Sequence, residues 1–122
     1  MSVASASAEG PSVLVVEDEA LVAFMIEDLL GELGCRVSHL ATRLQEGLSM
    51  AHHAEVDFAL LDVNLAGEKS FPIADVLTGR GIPFAFVTGY GRRGVESRYA
   101  TVPVVQKPFQ RTEIDQVLSR WR

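Results

Sequence analysis

The stretch SVLVVEDE, residues 12–19, decides the fold class, because an unbroken apolar run ends abruptly at three consecutive acids. A β-branched run without alternation is typical of a strand that is buried on both faces of a parallel sheet. Similar runs follow at residues 58–61, 83–87 and 102–105, and residues 36–40 predict a weaker strand at a sheet edge. We therefore expect five strands.

Segments with helical spacing separate these strands. Apolar residues recur every three or four positions from Val22 to Leu33, Leu44 to Ala51, Phe71 to Leu77 and Ile114 to Trp121. Gly34 follows the first segment at the position where glycine commonly ends a helix. Strand and helix alternate about five times, which favours right-handed crossovers and helices on both faces of the sheet. The sequence therefore predicts one α/β domain over residues 12–122, preceded by a flexible tail over residues 1–11.

Composition excludes several classes of function. The chain has 122 residues, enough for one ordinary domain, and its net charge of -5 argues against direct binding to nucleic acid. No apolar run approaches the roughly 20 residues that a transmembrane helix needs, and the first residues do not resemble a signal peptide. We therefore expect a cytoplasmic protein. The single cysteine, Cys35, excludes an internal disulfide and a multi-cysteine metal site.

Polar side chains stand at the ends of the predicted strands. Glu17 and Asp18 follow the first strand, Asp62 the third, Thr88 the fourth and Lys107 the fifth. Because functional groups in open parallel sheets gather at the carboxyl ends of the strands, we expect these residues to converge on one rim. Taken singly, the acids also suit helix N-termini or turns, and the lysine also suits a solvated surface.

Together these side chains suit a magnesium-dependent phosphoryl transfer. Carboxylates that are brought together repel one another, and a hard divalent cation with oxygen ligands relieves that repulsion. Asp62 would then act as a nucleophile and form an acyl phosphate. Lys107 would neutralise charge on the phosphoryl oxygens, and Thr88 would donate a hydrogen bond to one of them.

The sequence resembles the receiver domains of two-component response regulators over nearly all of its length, from Ser12 to Trp121. The resemblance rests on VVEDE at 15–19, LLDVNL at 60–65, VTG at 87–89 and KPF at 107–109. It implies a flavodoxin-like (βα)5 fold, with a doubly wound, parallel five-stranded sheet in the order 2-1-3-4-5. It also implies that a histidine kinase, or a phosphotransfer protein, supplies the phosphoryl group.

The resemblance further assigns roles to individual residues. Asp62 is the implied phospho-acceptor, and Thr88 and Lys107 match the hydroxyl and the lysine that contact the phosphoryl group. The implied Mg²⁺ ligands are Glu17, Asp18, Asp62 and the backbone carbonyl of Asn64. The lysine–proline peptide bond of this family is commonly cis, so the resemblance also implies a cis bond between Lys107 and Pro108.

The chain departs from the family on the fifth strand. Most receivers have an aromatic switch residue three positions before the lysine, where this chain has Val104. The segment PFAFVTGYG at 83–91 resembles the FATGUY group of alphaproteobacterial receivers, with valine in place of an alanine. Glycines at this density disfavour a rigid helix, so we predict a short or irregular fourth helix. We also predict that this loop, which includes Gly89, is the segment that changes conformation on phosphorylation. Tyr90 would be the residue that reports this change, in place of the missing aromatic on the fifth strand. The alternative is that Tyr90 is an ordinary half-buried loop residue.

The favoured function is that of a single-domain response regulator that signals through protein contacts or acts as a phosphate shuttle or sink. The FATGUY resemblance implies a kinase of the HWE or HisKA2 type and a role in stress or light signalling. We expect no enzymatic activity beyond self-phosphorylation and autodephosphorylation. Two alternatives are a pseudo-receiver that binds partners without being phosphorylated and a phosphatase of the haloacid dehalogenase type. Asn64 disfavours the phosphatase, because that chemistry needs a second acid at this position.

Overall fold

The structure, a computed structural model, describes residues 10–121. Five parallel strands form the main sheet, and two short strands form a separate antiparallel hairpin. In chain order the strands are β1 (Ser12–Val16), β2 (Arg36–Ala41), β3 (Phe58–Asp62), β4 (Asn64–Leu65), β5 (Glu68–Lys69), β6 (Phe84–Thr88) and β7 (Val104–Gln106), of which β4 and β5 are the hairpin. The tail predicted over residues 1–11 lies outside the described residues, except for its last two positions.

The main sheet has the strand order β2-β1-β3-β6-β7. Counted within that sheet alone, this is the predicted flavodoxin-like order 2-1-3-4-5, with β2 at an edge as expected. Val16 of β1 is level with Leu61 of β3, and Thr88 of β6 is level with Gln106 of β7. The carboxyl ends of the strands therefore reach one edge of the sheet, and the residues that follow them come together there.

Four α-helices lie within the described residues: α1 (Ala20–Glu32), α2 (Leu44–His53), α3 (Phe71–Arg80) and α4 (Arg111–Trp121). Helix α3 carries Pro72 in its first turn, where the missing N–H of proline removes no helical hydrogen bond. Gly81 caps its carboxyl end, with a φ of 71° in the left-handed region. A φ of 83° at Gly34 confirms the predicted end of α1.

The helices cover both faces of the sheet. Val13 and Val15 of β1 pack into an apolar cluster with residues of α1 and α4. Leu14 and Val16, which alternate with them, pack into a second cluster with residues of α2 and α3. Every residue of β1, β3 and β6 is buried, which explains why these strands read as continuous apolar runs. Within residues 10–121, no helix is long and apolar enough to cross a membrane.

The segment between β6 and β7 confirms the prediction of a short or irregular fourth helix. It contains two 3₁₀ turns, Gly91–Gly94 and Ser97–Tyr99. The predicted fifth strand at 102–105 is observed as β7, which begins two residues later, at Val104. The N–H of Val102 donates to the carbonyl of Tyr99, and Pro103 has no N–H to donate to a neighbouring strand. These two residues therefore lie outside the strand.

Candidate active site

Three acidic side chains meet at the carboxyl edge of the sheet. Glu17 follows β1, Asp62 ends β3, and Asp18 stands at the loop that leads into α1. A carboxylate oxygen from each of the three lies within 4.8 Å of the other two. Glu17 and Asp62 are buried, with 0% and 6% of their surface exposed, whereas Asp18 is half-buried. The predicted convergence of the acids is therefore present.

Lys107 lies between the buried acids. Its Nζ is 3.1 Å from Glu17 Oε1, 3.3 Å from Asp62 Oδ2 and 4.0 Å from Glu19 Oε1. The Lys107 N–H donates to the carbonyl of Thr88 at 3.0 Å, which holds the lysine backbone against β6. The peptide bond between Lys107 and Pro108 is cis, as the family resemblance implies.

Burial controls the protonation of this cluster. It raises the pKa of Glu17 from 4.5 to about 7, and the charge of Asp62 adds to the effect. Burial also raises the pKa of Asp62, against the opposing influence of Lys107. Burial lowers the pKa of the Lys107 ammonium, but Asp62 and Glu17 more than offset that, so its pKa is raised. One ammonium therefore leaves two buried carboxylates incompletely neutralised.

The acidic cluster fits a hard divalent cation. Its donors are all carboxylate oxygens, which Mg²⁺ prefers, and their charges exceed that of Lys107. Asp18 Oδ2 accepts a hydrogen bond from the N–H of Ala66 at 3.0 Å, which orients the carboxylate. The role of the Asn64 carbonyl stays a prediction, while the Asn64 N–H points to Asp62 Oδ1 at 3.4 Å.

Thr88 is buried beside the cluster at the end of β6. Its Oγ1 accepts a hydrogen bond from the N–H of Tyr90 at 3.0 Å, so the hydroxyl proton is left to donate to a ligand. The loop folds tightly over this hydroxyl, since a Cβ added to Gly94 would lie 3.2 Å from Thr88 Oγ1. A cleft of about 480 Å³ opens here, and Asp62, Thr88 and Lys107 line it.

The structure also places the three predicted switch residues. Tyr90 and Gly89 line the cleft, and Tyr90 is 72% exposed rather than half-buried. Val104 is half-buried in β7 and packs against the cluster that includes α2 and α3. Their role in switching stays a prediction.

Two residues that the sequence analysis did not single out also bear on the site. Tyr99 is buried and stacks on Phe71 at 5.7 Å between ring centroids. Lys69 lines the same cleft as Lys107, and these two are the only lysines of the chain. The sequence could have drawn attention to Lys69 only because the chain has so few lysines. No sequence signal distinguished Tyr99 from Tyr90, because its burial depends on distant segments.

Comparison with known proteins agrees with this geometry. The family model described as the response regulator receiver domain matches residues 13–119. The phyllosphere-induced regulator PhyR of Methylorubrum extorquens is 30% identical over an alignment of 112 residues, with 88% of this chain and 42% of that protein covered. The chain thus spans about two fifths of the length of this curated relative.

The chain is also similar to solved structures. The solution structure of SdrG from Sphingomonas melonis Fr1 is 40% identical, with 89% of this chain and 93% of that chain covered and a TM-score of 0.81. The BeF3-activated conformation of SdrG is 39% identical, with 88% and 92% of the two chains covered and a TM-score of 0.76. These similarities support the resemblance to the FATGUY group.

Proposed function

The chain belongs to the response regulator receiver domain family, and on that premise we propose that Asp62 accepts a phosphoryl group from a histidine kinase in a Mg²⁺-dependent reaction. One observation carries this proposal more than any other. The Lys107 ammonium contacts both Glu17 and Asp62, so the phospho-acceptor, a metal ligand and a phosphoryl-binding cation lie in one cluster.

The geometry of the cleft supports the proposed transfer. A carboxylate oxygen of Asp62 attacks the phosphorus of a phosphohistidine, the new O–P bond forms, and the P–N bond breaks to release the imidazole. Mg²⁺, when bound by Glu17, Asp18 and Asp62, supplies positive charge for the phosphoryl oxygens. Lys107 donates to a further phosphoryl oxygen, and Thr88 donates through the proton that its contact with Tyr90 leaves available.

Hydrolysis of the acyl phosphate ends the signal. Water attacks the phosphorus of the acyl phosphate, the Asp62 carboxylate is restored, and inorganic phosphate leaves. We propose that this autodephosphorylation and the preceding self-phosphorylation are the whole chemistry of the chain. The phosphorylated form then signals through protein contacts or passes phosphate on as a shuttle or sink. A role in stress or light signalling in the cytoplasm is part of this proposal, and nucleic acid is not among the partners.

An apolar surface next to the cleft supports a kinase as the phosphodonor. On α1, Leu21, Phe24 and Met25 are exposed by 75%, 57% and 48%. Met25, Lys107 and Phe109 share a shallow groove, so this surface continues into the active site. We propose that a helix of an HWE or HisKA2 kinase docks here. Phe24→Ser should then slow phosphorylation by such kinases but not by acetyl phosphate, and equal slowing with both donors would remove this contact.

The proposed function is tested by intact-protein mass after incubation with acetyl phosphate and Mg²⁺. We expect one phosphoryl adduct on the wild-type chain and none on Asp62→Asn or without metal. Asp28→Asn is the matched control, because Asp28 is an exposed aspartate on α1. A wild-type chain that binds Mg²⁺ but gains no phosphoryl group from acetyl phosphate or from a kinase panel would favour the pseudo-receiver.

A phosphatase of the haloacid dehalogenase type has less support. Such an enzyme needs an acid two residues after its nucleophile to protonate the leaving group. The corresponding side chain is the amide of Asn64, whose Oδ1 accepts a hydrogen bond from the N–H of Gly67 at 3.0 Å. The Asn64 amide has no proton acidic enough to protonate a leaving group. Its oxygen already accepts a hydrogen bond within the hairpin.

A further inference from the structure

We propose that Lys69 is a second phosphoryl-binding lysine, which strengthens the binding of dianionic phosphodonors and of the phosphoryl group itself. The proposal rests on the function proposed above for Asp62. It assigns Lys69 a role that complements that of Lys107 in the same cleft. The observations that carry it are the position of Lys69, the way its backbone is held and the charge of the site.

The first observation is where Lys69 lies. It is exposed on β5, and it lines the same cleft as Asp62, Thr88 and Lys107. In the hairpin it pairs directly with Asn64, two residues after the phospho-acceptor. Both lysines of the chain are therefore at this cleft, while the eight arginines within residues 10–121 all lie outside its lining. A compact ammonium on a flexible stem suits phosphate as a point charge.

The second observation is that the backbone around Lys69 is held in place. On one side, the Ser70 N–H donates to the carbonyl of Val63 at 2.9 Å. At the tip of the hairpin, the Ala66 N–H donates to Asp18 Oδ2 at 3.0 Å. These contacts tie the hairpin to the acidic cluster and to the residue that follows Asp62. The stem of Lys69 thus starts from a fixed position at the cleft.

The third observation concerns the ammonium itself. Among residues 10–121, the ion pairs of acidic side chains involve Lys107 and three arginines, and none involves Lys69. Lys107 is different, because Glu17 and Asp62 already hold its ammonium. Lys69 therefore has a charge to offer without breaking an existing ion pair.

The charge of the loaded site explains why a second ammonium helps. The carboxylates of Glu17, Asp18 and Asp62 are balanced by Lys107 together with one divalent cation. Phosphorylation removes the charge of Asp62 and adds a phosphoryl group that carries close to two negative charges. About one negative charge is then left unbalanced in a cleft that Lys69 lines. An ammonium at that place stabilises both the incoming donor and the bound group.

The test compares Lys69→Gln and Lys69→Arg with the wild-type chain. Arg36→Gln is the control for charge, because Arg36 is exposed at the amino end of β2, away from the cleft. Two quantities are measured at saturating Mg²⁺: the rate of phosphorylation by acetyl phosphate, from intact mass, and the affinity for beryllofluoride, from calorimetry. Thermal denaturation checks that each variant is folded.

We expect Lys69→Gln to lower both quantities roughly tenfold, as for the loss of one charge-assisted hydrogen bond. Lys69→Arg should restore most of both, Arg36→Gln should change neither, and added salt should weaken the wild-type chain more than Lys69→Gln. If Lys69→Gln leaves the phosphorylation rate and the beryllofluoride affinity unchanged, or lowers them no more than Arg36→Gln does, the role of Lys69 is overturned while the proposed function stands. A wild-type chain that neither gains phosphate nor binds beryllofluoride would instead overturn the proposed function, and the role of Lys69 with it.

Discussion

The hydroxyl of Tyr99 donates a hydrogen bond to Asp75 Oδ1 and thereby fastens the segment after β6 to helix α3. Arg98 reinforces this contact, with its Nη1 2.6 Å from the same carboxylate oxygen and its guanidinium 4.6 Å from the centre of the Tyr99 ring. The ring itself is buried against Phe71 and Phe86. Because Phe86 lies two residues before Thr88 on β6, the anchored tyrosine and the Thr88 hydroxyl share one face of the sheet.

This anchor predicts that the two tyrosines of the chain differ in their contribution to stability. Tyr99→Phe removes a hydroxyl that bonds to a carboxylate, so we expect the free energy of unfolding to fall by about 1–2 kcal/mol. Tyr90→Phe is the matched control, because Tyr90 is 72% exposed and should change stability very little. Urea denaturation of both variants measures the difference. Equal effects would show that the contact with Asp75 does not hold the segment.

The same contact predicts a loss of stability at alkaline pH. Burial, together with the hydrogen bond to Asp75, raises the pKa of Tyr99 from 10.0 to about 12. The folded state therefore holds this proton more tightly than the unfolded state does. Its contribution to stability is fully present below pH 10 and is lost as the pH rises through about 12. Denaturation across this range should show a steeper loss for the wild-type chain than for Tyr99→Phe, and parallel curves would contradict the assignment.

Mg²⁺ should stabilise the fold through the acidic cluster. A ligand that binds only the folded state stabilises it by about 2.7 kcal/mol at a concentration 100 times its Kd. We expect a rise in Tm with Mg²⁺ for the wild-type chain and a much smaller rise for Glu17→Gln. Glu27→Gln removes an exposed carboxylate of α1 and should behave like the wild-type chain. An identical response of Glu17→Gln and the wild-type chain would place the metal elsewhere.

The tight approach of Gly94 to Thr88 gives a prediction about the loop. A Cβ on Gly94 would lie 3.2 Å from Thr88 Oγ1 and 3.5 Å from Tyr90 Cβ, so Gly94→Ala should displace the loop and slow phosphorylation by acetyl phosphate. At Gly79 in α3, an added Cβ would meet no atom within 4 Å apart from the neighbouring backbone of its own helix. Gly79→Ala should therefore stabilise the protein, by up to about 1 kcal/mol, and leave the rate unchanged. Similar phosphorylation rates in the two variants would contradict the close contact at Gly94.

The strands and the acidic cluster could be predicted from sequence because each depends on short-range patterns, whereas the strand order came from the resemblance to receiver domains. Unbroken apolar runs indicate buried strands, and the residue after each run lies at the shared edge of a parallel sheet. Glu17, Asp62 and Lys107 meet for that reason. The irregular segment after β6 was also predictable, since closely spaced glycines disfavour a helix.

The hairpin and the burial of Tyr99 were not predictable in this way. The turn of the hairpin needs Ala66 at a φ of 52°, a conformation that alanine rarely adopts and that no local pattern indicates. Its contact with Asp18 joins residues 48 positions apart. Tyr99 reaches Asp75 across 24 positions, and its surroundings gave no reason to prefer it to Tyr90 as the buried tyrosine. Both features depend on tertiary contacts.

The most direct test of the central claim identifies the carboxylate that carries the phosphoryl group. The chain is incubated with acetyl phosphate and Mg²⁺ and then treated with borohydride, which reduces an aspartyl phosphate to homoserine, and the peptides are sequenced by mass spectrometry. We predict homoserine at position 62, only when metal and phosphodonor are both present. Homoserine at Asp18 or at another aspartate, with Asp62 unchanged, would contradict the account.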